Sequence, residues 1–359
     1  MIKYLGSKRA LAGVLGTLAE AAGASTAVDL FTGTTRVAQE FKRRGLAVTA
    51  ADLASYSEIL ARCYVVTDPD AVDCDELDAL LAELDALPGV RGYATRTFCE
   101  QARYFQPANG QRIDAIRDRL VGLVDHPLYP VLLTALIEAA DRVDSTTGQH
   151  MAYLKEWARR ASNPLRLRRP VLLAGSGAAI RGDARELAKQ LPTVDVMYLD
   201  PPYNQHRYFT NYHIWETLVR WDAPEHYGVA CKRADARTAQ HLSAFNSRRT
   251  MATAMAELIG DARAELLLVS YNDESWITPD AMIGWLRDAG HPAVQLLAFD
   301  SRRYVGARIG IYNHRGEKVG QVSHTRNTEY VFVAGPVAQV EAAVAAVTAL
   351  PARQAGGIA

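Results

Sequence analysis

The sequence predicts an α/β protein in which helices cover both faces of a mainly parallel sheet and a mainly helical domain is inserted into the chain. Two observations predict this class. A strand, turn, helix, strand unit lies near the start of the chain, and a second group of short apolar segments follows a charged, helical middle section. Parallel neighbouring strands need long crossovers, usually helices, which this alternation supplies.

The first unit begins with a short apolar run, "AVDLF" (residues 27–31). The helical spacing of Val37 and Phe41 follows it, and Gly45 is typical of a helix end. A second strand is predicted at "LAVTAADL" (residues 46–53). Together these segments form one βαβ unit.

The middle section, residues 59–165, is charged and lacks convincing strand patterns. Helical periodicity is clearest in "NGQRIDAIRDRLVGLV" and "LLTALIEAADRV". This section is therefore predicted to be an inserted helical domain within a discontinuous domain of residues 1–58 and 166–340. Residues 341–359 are predicted to form a C-terminal helix and a frayed tail.

The sheet pattern resumes after the insertion. The predicted strands are "PVLLAG" (170–175), "VDVMYLD" (194–200), "AELLLVSYN" (264–272), "AVQLLAFD" (293–300) and "TEYVFVAG" (328–335).

Composition indicates an ordinary globular protein of 359 residues, 49% hydrophobic and 22% charged. No apolar run approaches the ~18 residues of a membrane span, and the first residues lack a signal-peptide pattern. The four cysteines are widely spaced without a CxxC pair. We therefore expect reduced thiols in a cytoplasmic protein, with no disulfide framework, no metal site and no membrane association.

Charge is balanced overall, with 40 basic and 40 acidic residues, which argues weakly against nucleic-acid binding. Basic residues nevertheless cluster in "RRASNPLRLRRP" (159–170), "CKRADAR" (231–237) and "SRRYVGARIG" (301–310). Local patches rather than net charge govern contact with phosphates. Solvated surfaces with local ion pairs are an equally good interpretation of any single run.

The turn after the first strand, "DLFTGTTRV", contains Gly33 but no second glycine, since Thr34 and Thr35 follow. Asp52 lies 23 positions after Asp29, near the ~20 at which a carboxylate meets ribose hydroxyls in nucleotide-binding folds. No phosphate-cradling glycine run is present. A nucleoside-type ligand without phosphates, such as S-adenosylmethionine, fits better than ATP or NAD.

The segment "YLDPPY" (198–203) ends an apolar strand abruptly, because two adjacent prolines cannot continue a helix or a central strand. Asp200 and the Pro201 carbonyl are two fixed acceptors, and an exocyclic amine of a base has two hydrogens to donate. Tyr203 is suited to stacking on a base that has left the duplex. The alternative interpretation is a plain strand end with a turn.

Several segments in this order resemble the Dam-like class, the alpha-order class, of DNA adenine-N6 methyltransferases. They are "KYLGSK" (3–8), "DLFTGTTRVA" (29–38), "AADL" (50–53), "RGDA" (181–184), "DVMYLDPPY" (195–203) and "LVSYN" (268–272). The resemblance implies a Rossmann-like S-adenosylmethionine-dependent methyltransferase sheet. It implies methyl transfer from S-adenosylmethionine to the N6 amine of a flipped adenine in duplex DNA.

The resemblance also implies site residues. The catalytic residues would be Asp200, Pro201, Pro202 and Tyr203. The cofactor-binding residues would be Tyr4, Lys8, Asp29, Phe31, Gly33, Thr34, Asp52, Leu53, Asp183 and Ala184, with Lys8 meeting the cofactor's carboxylate. Thr35 departs from the pattern, because many relatives have a second glycine there.

DNA contacts are predicted from placement. His206, Arg207 and Tyr208 follow the catalytic turn. The segment 301–333 alternates like a hairpin with "HRGEK" at its turn and carries Arg302, Arg303, Arg308, Arg315 and Arg326, which is also compatible with a solvated hairpin. Target recognition is assigned first to the insertion, with Arg103, Tyr104, Arg112 and Gln149.

Three alternatives stay open: an RNA or protein-glutamine methyltransferase, a small-molecule amine methyltransferase, and a DNA-binding regulator that has lost catalysis. The expected partner is double-stranded DNA, bound by a monomer associated with the nucleoid. Whether a restriction endonuclease accompanies the protein is left open.

Overall fold

The computed structural model describes residues 2–6, 8–203, 205, 207–238, 243–302, 311–312, 318–320 and 326–351. Its main feature is a seven-stranded sheet. The strands of this sheet are β1 (Thr26–Asp29), β2 (Ala47–Asp52), β3 (Gly177–Arg181), β4 (Val194–Leu199), β7 (Ala264–Asn272), β8 (Ala293–Arg302) and β11 (Arg326–Gly335). Their order in the sheet is β3-β2-β1-β4-β7-β11-β8. Two short antiparallel pairs lie outside it: β5 (His226–Tyr227) with β6 (Lys232–Arg233), and β9 (Ile311–Tyr312) with β10 (Lys318–Gly320).

The strand order reverses between β1 and β4, which pair in parallel with Asp29 opposite Tyr198. The pairs β1–β2, β2–β3 and β4–β7 are also parallel. Strand β11 runs antiparallel to both of its neighbours, β7 and β8. The predicted mainly parallel α/β sheet is confirmed, and ligands of such open sheets bind where the strand order reverses.

The helices are α1 (Ala12–Ala21), α2 (Arg36–Arg43), α3 (Ser55–Ala61), α4 (Cys74–Ala86), α5 (Pro107–Val121), α6 (Tyr129–Val143), α7 (Ala184–Gln190), α8 (Tyr208–Asn211), α9 (His213–Arg220), α10 (Met251–Asp261), α11 (Pro279–Asp288) and α12 (Val337–Thr348). Helices α1, α2 and α12 pack on one face of the sheet, and α7, α10 and α11 pack on the other. Strand β4 shows the division, since Val196 and Tyr198 join the first core while Met197 and Leu199 join the second. Burial on both faces explains why this strand is uniformly apolar.

The middle section forms a third core around α4, α5 and α6. This core also contains residues of α3 and of α9, including Trp215 and Leu218, which follow the segment "YLDPPY". Arg117 of α5 reinforces the connection, because its Nε donates to the carbonyl of Leu218 at 2.6 Å. The domain boundaries given above stay a prediction, but the insertion and α9 are packed as one unit.

One predicted strand is wrong. Residues 170–175, "PVLLAG", have no strand structure, and β3 begins at Gly177 instead. Pro170 has no N–H to donate to a ladder, and Val171 is 79% exposed. The apolar run therefore lies outside the sheet, and the less apolar segment "GAAIR" pairs with β2.

Several sequence predictions lie outside the described residues: His206, Arg303, Arg308, Arg315, most of the "HRGEK" turn and residues 352–359. The side chains of Arg302 and Arg326 are likewise not described, although their backbones pair in β8 and β11. No helix among the described residues is long and apolar enough to cross a membrane.

Candidate active site

A cleft opens at the carboxyl ends of β1, β2, β3 and β4. The residues that line it are Tyr4, Gly6, Leu30, Phe31, Gly33, Asp52, Leu53, Ala54, Gly182, Asp183, Ala184, Asp200, Pro202, Arg207, Tyr208, Phe209, Ser243, Phe245 and Asn246.

Gly33 forms the turn between β1 and α2 with a left-handed backbone, φ +50°. A Cβ at this position would lie 3.1 Å from the ring of Tyr4, so the turn approaches Tyr4 more closely than other residues allow. The Gly33 amide donates to Asp52 Oδ2 at 2.8 Å. This hydrogen bond fixes the glycine turn to the end of β2 at the edge of the cleft.

Thr35, the departure from the family pattern, adopts a backbone that glycine would favour, with φ 62° and ψ 19°. Its side chain is fully buried. The hydroxyl accepts from Gln39 Nε2 at 2.7 Å and donates to the Thr34 carbonyl at 2.7 Å. These bonds offset the roughly 1–2 kcal/mol that a left-handed conformation costs a residue with a Cβ. The turn therefore keeps a left-handed backbone at this position without the second glycine.

Asp52 ends β2 with its carboxylate toward the cleft. Oδ1 accepts from the Ala54 amide at 3.0 Å, in addition to the bond from Gly33. Burial raises the pKa of Asp52, and these backbone donors act in the opposite direction. A carboxylate has about four lone-pair sites, so Asp52 retains capacity to accept from ligand hydroxyls.

The cleft combines apolar walls with few polar groups. Phe31 and Phe245 meet edge to face with ring centroids 5.4 Å apart, and Leu53 is 45% exposed at the rim. Asp183 begins α7, and its Oδ1 accepts from the Arg185 amide at 2.9 Å. Flat apolar surfaces between two carboxylates suit a nucleoside with hydroxyl and amine groups.

Asp200 follows β4 directly and lines the same cleft as Asp52. Its Oδ1 lies 3.3 Å from Lys8 Nζ, an ion pair without the alignment of a good hydrogen bond. Desolvation by burial raises the pKa of Asp200 to about 6, with Lys8 lowering it and Glu329 raising it further. At neutral pH the side chain is therefore a carboxylate that can still accept a hydrogen bond.

Lys8 sits between two acids. Its Nζ donates to Glu329 Oε2 at 2.9 Å and to the Tyr203 hydroxyl at 3.1 Å, beside the ion pair with Asp200. Burial by itself lowers the pKa of Lys8, but Asp200 and Glu329 outweigh burial and hold the pKa well above its ordinary value. Lys8 is therefore a permanently charged ammonium next to the candidate catalytic carboxylate.

A family model described as "D12 class N6 adenine-specific DNA methyltransferase" matches residues 4–283. The chain belongs to this family. The predicted Dam-like class, the methyltransferase fold and the adenine-specific activity on DNA are confirmed by this membership.

Three curated relatives are similar to this methyltransferase. Type II methyltransferase M.NlaIII of Neisseria lactamica is 29% identical over 341 residues, covering 90% of this chain and 98% of the relative. Modification methylase StsI of Streptococcus sanguinis is 27% identical, covering 80% of this chain and 46% of the relative. Type II methyltransferase M.FokI of Planomicrobium okeanokoites is 29% identical, covering 74% and 43%. The methyltransferase thus spans nearly all of the first relative and less than half of the other two.

Most of the predicted cofactor residues line the cleft of the methyltransferase: Tyr4, Phe31, Gly33, Asp52, Leu53, Asp183 and Ala184. Asp29, Thr34 and Lys8 do not. Asp29 lies behind the wall, where its Oδ2 accepts from Thr32 Oγ1 at 2.9 Å and from the Ala38 amide at 3.1 Å. These bonds fix the turn from within, and burial raises the pKa of Asp29 to about 7.

The predicted catalytic residues of the methyltransferase divide in the same way. Asp200 and Pro202 line the cleft, while Pro201 and Tyr203 are buried beside it. The ring of Tyr203 packs edge to face on Tyr271, 5.4 Å between centroids. An aromatic ring that does line the cleft is Tyr208, which stacks on Tyr4 at 5.4 Å.

The predicted DNA contacts have mixed outcomes. Arg207 is exposed and lines the cleft of the methyltransferase, together with Tyr208. Tyr104, assigned to target recognition, is fully buried and its hydroxyl donates to the carbonyl of His150 at 2.6 Å, so that assignment is wrong. The Arg112 guanidinium donates to the carbonyls of Leu87 and Asp85, so these hydrogen bonds hold it within the insertion.

Sequence reasoning missed several residues of the site. Phe245, Asn246 and Ser243 come from a 3₁₀ turn that no motif marks, and Glu329 comes from the strand β11 far along the chain. Gly6 had a signal, since it lies within the quoted segment "KYLGSK". A Cβ on Gly6 would lie 3.0 Å from the Tyr208 hydroxyl, so Gly6 lets this tyrosine reach the cleft.

Proposed function

We propose that S-adenosylmethionine is the methyl donor of this enzyme and that one cleft holds both this donor and the target adenine. The observation that carries the proposal is the convergence of Asp52 and Asp200 on a single cleft with aromatic walls. Gly33, Asp52 and Asp183 are proposed to hold the donor, with Phe31 and Leu53 against its adenine ring. When bound, the donor supplies a sulfonium methyl group.

Asp200 is proposed to act on the target amine. Its carboxylate accepts a hydrogen of the N6 amine and so keeps the nitrogen lone pair directed at the methyl group. Such positioning and electrostatic stabilisation commonly account for most of an enzyme's rate enhancement. With a pKa of about 6, Asp200 is also able to accept the proton that the methylated nitrogen releases.

The duplex is proposed to lie over the mouth of the cleft. Arg207 is exposed there and suits a phosphate contact, while Tyr208 suits stacking on the flipped base. The names of the relatives, "Type II methyltransferase" and "Modification methylase", support a role in a restriction-modification system with a cognate endonuclease. A monomer acting on the nucleoid stays part of the proposal.

The proposal is tested by incubating the protein with duplex DNA and S-adenosylmethionine carrying a labelled methyl group, then digesting the DNA to nucleosides. The expected result is label in N6-methyldeoxyadenosine. Label in a methylated cytosine would overturn the base assignment, and an unlabelled digest from protein that still binds the donor would overturn the proposed roles.

A further inference from the structure

We propose that Glu329 is a positioning residue for methyl transfer, which holds the Lys8 ammonium back from Asp200 so that the carboxylate stays available to the adenine amine. This inference rests on the proposed role of Asp200. Glu329 lies outside every segment that carries the family resemblance, and its placement comes from the sheet alone.

The geometry of Lys8 is asymmetric. Its Nζ makes a hydrogen bond of 2.9 Å to Glu329, whereas its approach to Asp200 Oδ1 is 3.3 Å and poorly aligned. The Lys8 side chain is 6% exposed, and both carboxylates are 15% exposed. In such surroundings an ammonium is stable only with charged partners, and the shorter of its two carboxylate contacts is the one to Glu329.

The sheet order places Glu329 at this point. Strand β11 runs antiparallel to β7, so the early residues of β11 lie at the carboxyl edge where the cleft opens. Glu329 pairs in register with Asn272, the last residue of β7, and with Phe299 of β8. The antiparallel strand thereby delivers a carboxylate to an edge otherwise formed by the ends of parallel strands.

The charge balance gives Glu329 a second effect. Asp200 and Glu329 carry two negative charges against the one positive charge of Lys8. Within the part of the chain that the structure describes, the remaining titratable groups around Asp200 and Lys8 are the neutral hydroxyls of Tyr198, Tyr203 and Tyr208 and the buried Asp29. A net negative cluster favours the positive charge that moves to the amine nitrogen during transfer.

Glu329→Gln tests the proposal, because it removes one negative charge and changes the shape of the side chain very little. Lys8 is then left to pair with Asp200 alone, which draws the ammonium closer to the carboxylate. We expect kcat on saturating DNA to fall about tenfold, a change of about 1.4 kcal/mol in the barrier. We also expect the acid limb of the kcat profile to move to lower pH, because loss of a neighbouring negative charge favours the ionised Asp200.

Glu265→Gln is the matched control. Glu265 is an exposed residue at the opposite end of β7, where it accepts from Gln339 Nε2 at 3.0 Å. This variant loses the same charge from the same sheet, and both kcat and the acid limb are expected to match the wild type. A merely structural role for Glu329 would lower the folded fraction without moving the acid limb.

Glu329→Asp keeps the negative charge and shortens the side chain by a methylene group. It provides a second measurement should the glutamine variant not fold. It is expected to lower kcat with the acid limb near its wild-type position. Wild-type kcat in Glu329→Asp, or an unmoved acid limb in folded Glu329→Gln, would overturn the proposal. Either result leaves the proposed function intact if the wild type methylates adenine, whereas an inactive wild type would contradict the function itself.

Discussion

At the scale of single residues, the site depends on carboxylates that burial has made weak acids. Asp200 and Asp29 both lie in the interior, and burial raises the pKa of the former to about 6 and of the latter to about 7. Their positions decide their different roles. Asp29 Oδ2 accepts hydrogen bonds from the turn behind the cleft, whereas the Asp200 side chain lines the cleft itself.

Turnover is expected to depend on pH through Asp200. The carboxylate is the acceptor form, and its pKa is raised, so this form is lost as pH falls through about 6. We expect kcat to fall about tenfold per pH unit below pH 6 and to level off above it, measured from pH 5 to 8 with saturating donor and DNA. A rate independent of pH over this range, in protein that circular dichroism shows to be folded, would contradict the role of Asp200.

Gly33→Ala is expected to weaken donor binding. The left-handed φ costs the alanine roughly 1–2 kcal/mol, and its Cβ would displace Tyr4 from 3.1 Å. We expect the Kd for S-adenosylmethionine, measured by calorimetry, to rise about tenfold, which is ~1.4 kcal/mol.

Gly45→Ala is the control for backbone strain. Gly45 has φ +86° with no atom within 4 Å of a Cβ, and it lies outside the cleft lining. The Gly45→Ala variant should lose a similar free energy of unfolding, measured in urea, but keep the wild-type Kd for S-adenosylmethionine. Equal donor affinity in both variants would contradict the proposed role of Gly33 in holding the donor.

At the scale of elements, α5 and α9 are joined by one buried arginine. Arg117 is 4% exposed and donates to the carbonyls of Leu218 and Val219 in the last turn of α9. Arg117→Met leaves these acceptors without their donor and should lower the free energy of unfolding by about 2–3 kcal/mol in urea titration. Arg119→Met on the same helix removes only an exposed pair with Glu83 and should cost less than about 1 kcal/mol. Equal losses in the two variants would contradict the coupling.

The elements that the sequence predicted well are those whose local pattern matches their surroundings. Strand β4 is apolar because both its faces are covered, and its end at Asp200 is set by two prolines. Residues 170–175 have a similar local pattern, yet Val171 is exposed and the strand forms later. Partner choice in a sheet is a long-range property, so the local pattern could not distinguish these two runs.

At the scale of the whole molecule, the sheet order assembles the site. Residues 33, 52, 183 and 200 reach one cleft because β1, β2, β3 and β4 end at one edge, and residues 4 and 245 join them from outside the sheet. Motif order predicted much of this set, because a DPPY segment and a glycine turn mark strands β4 and β1. Glu329 and Phe245 could not be predicted, since their nearness depends on the antiparallel insertion of β11 and on a turn without a sequence signature.

The central claim is that the Asp200 cleft performs adenine methylation. The most direct measurement is single-molecule sequencing of genomic DNA from a host that lacks its own DNA methylation and expresses either the wild type or Asp200→Ala. The account predicts N6-methyladenine at one recurring sequence with the wild type, and none with Asp200→Ala protein that still binds S-adenosylmethionine. The same methylation pattern with Asp200→Ala would contradict the account.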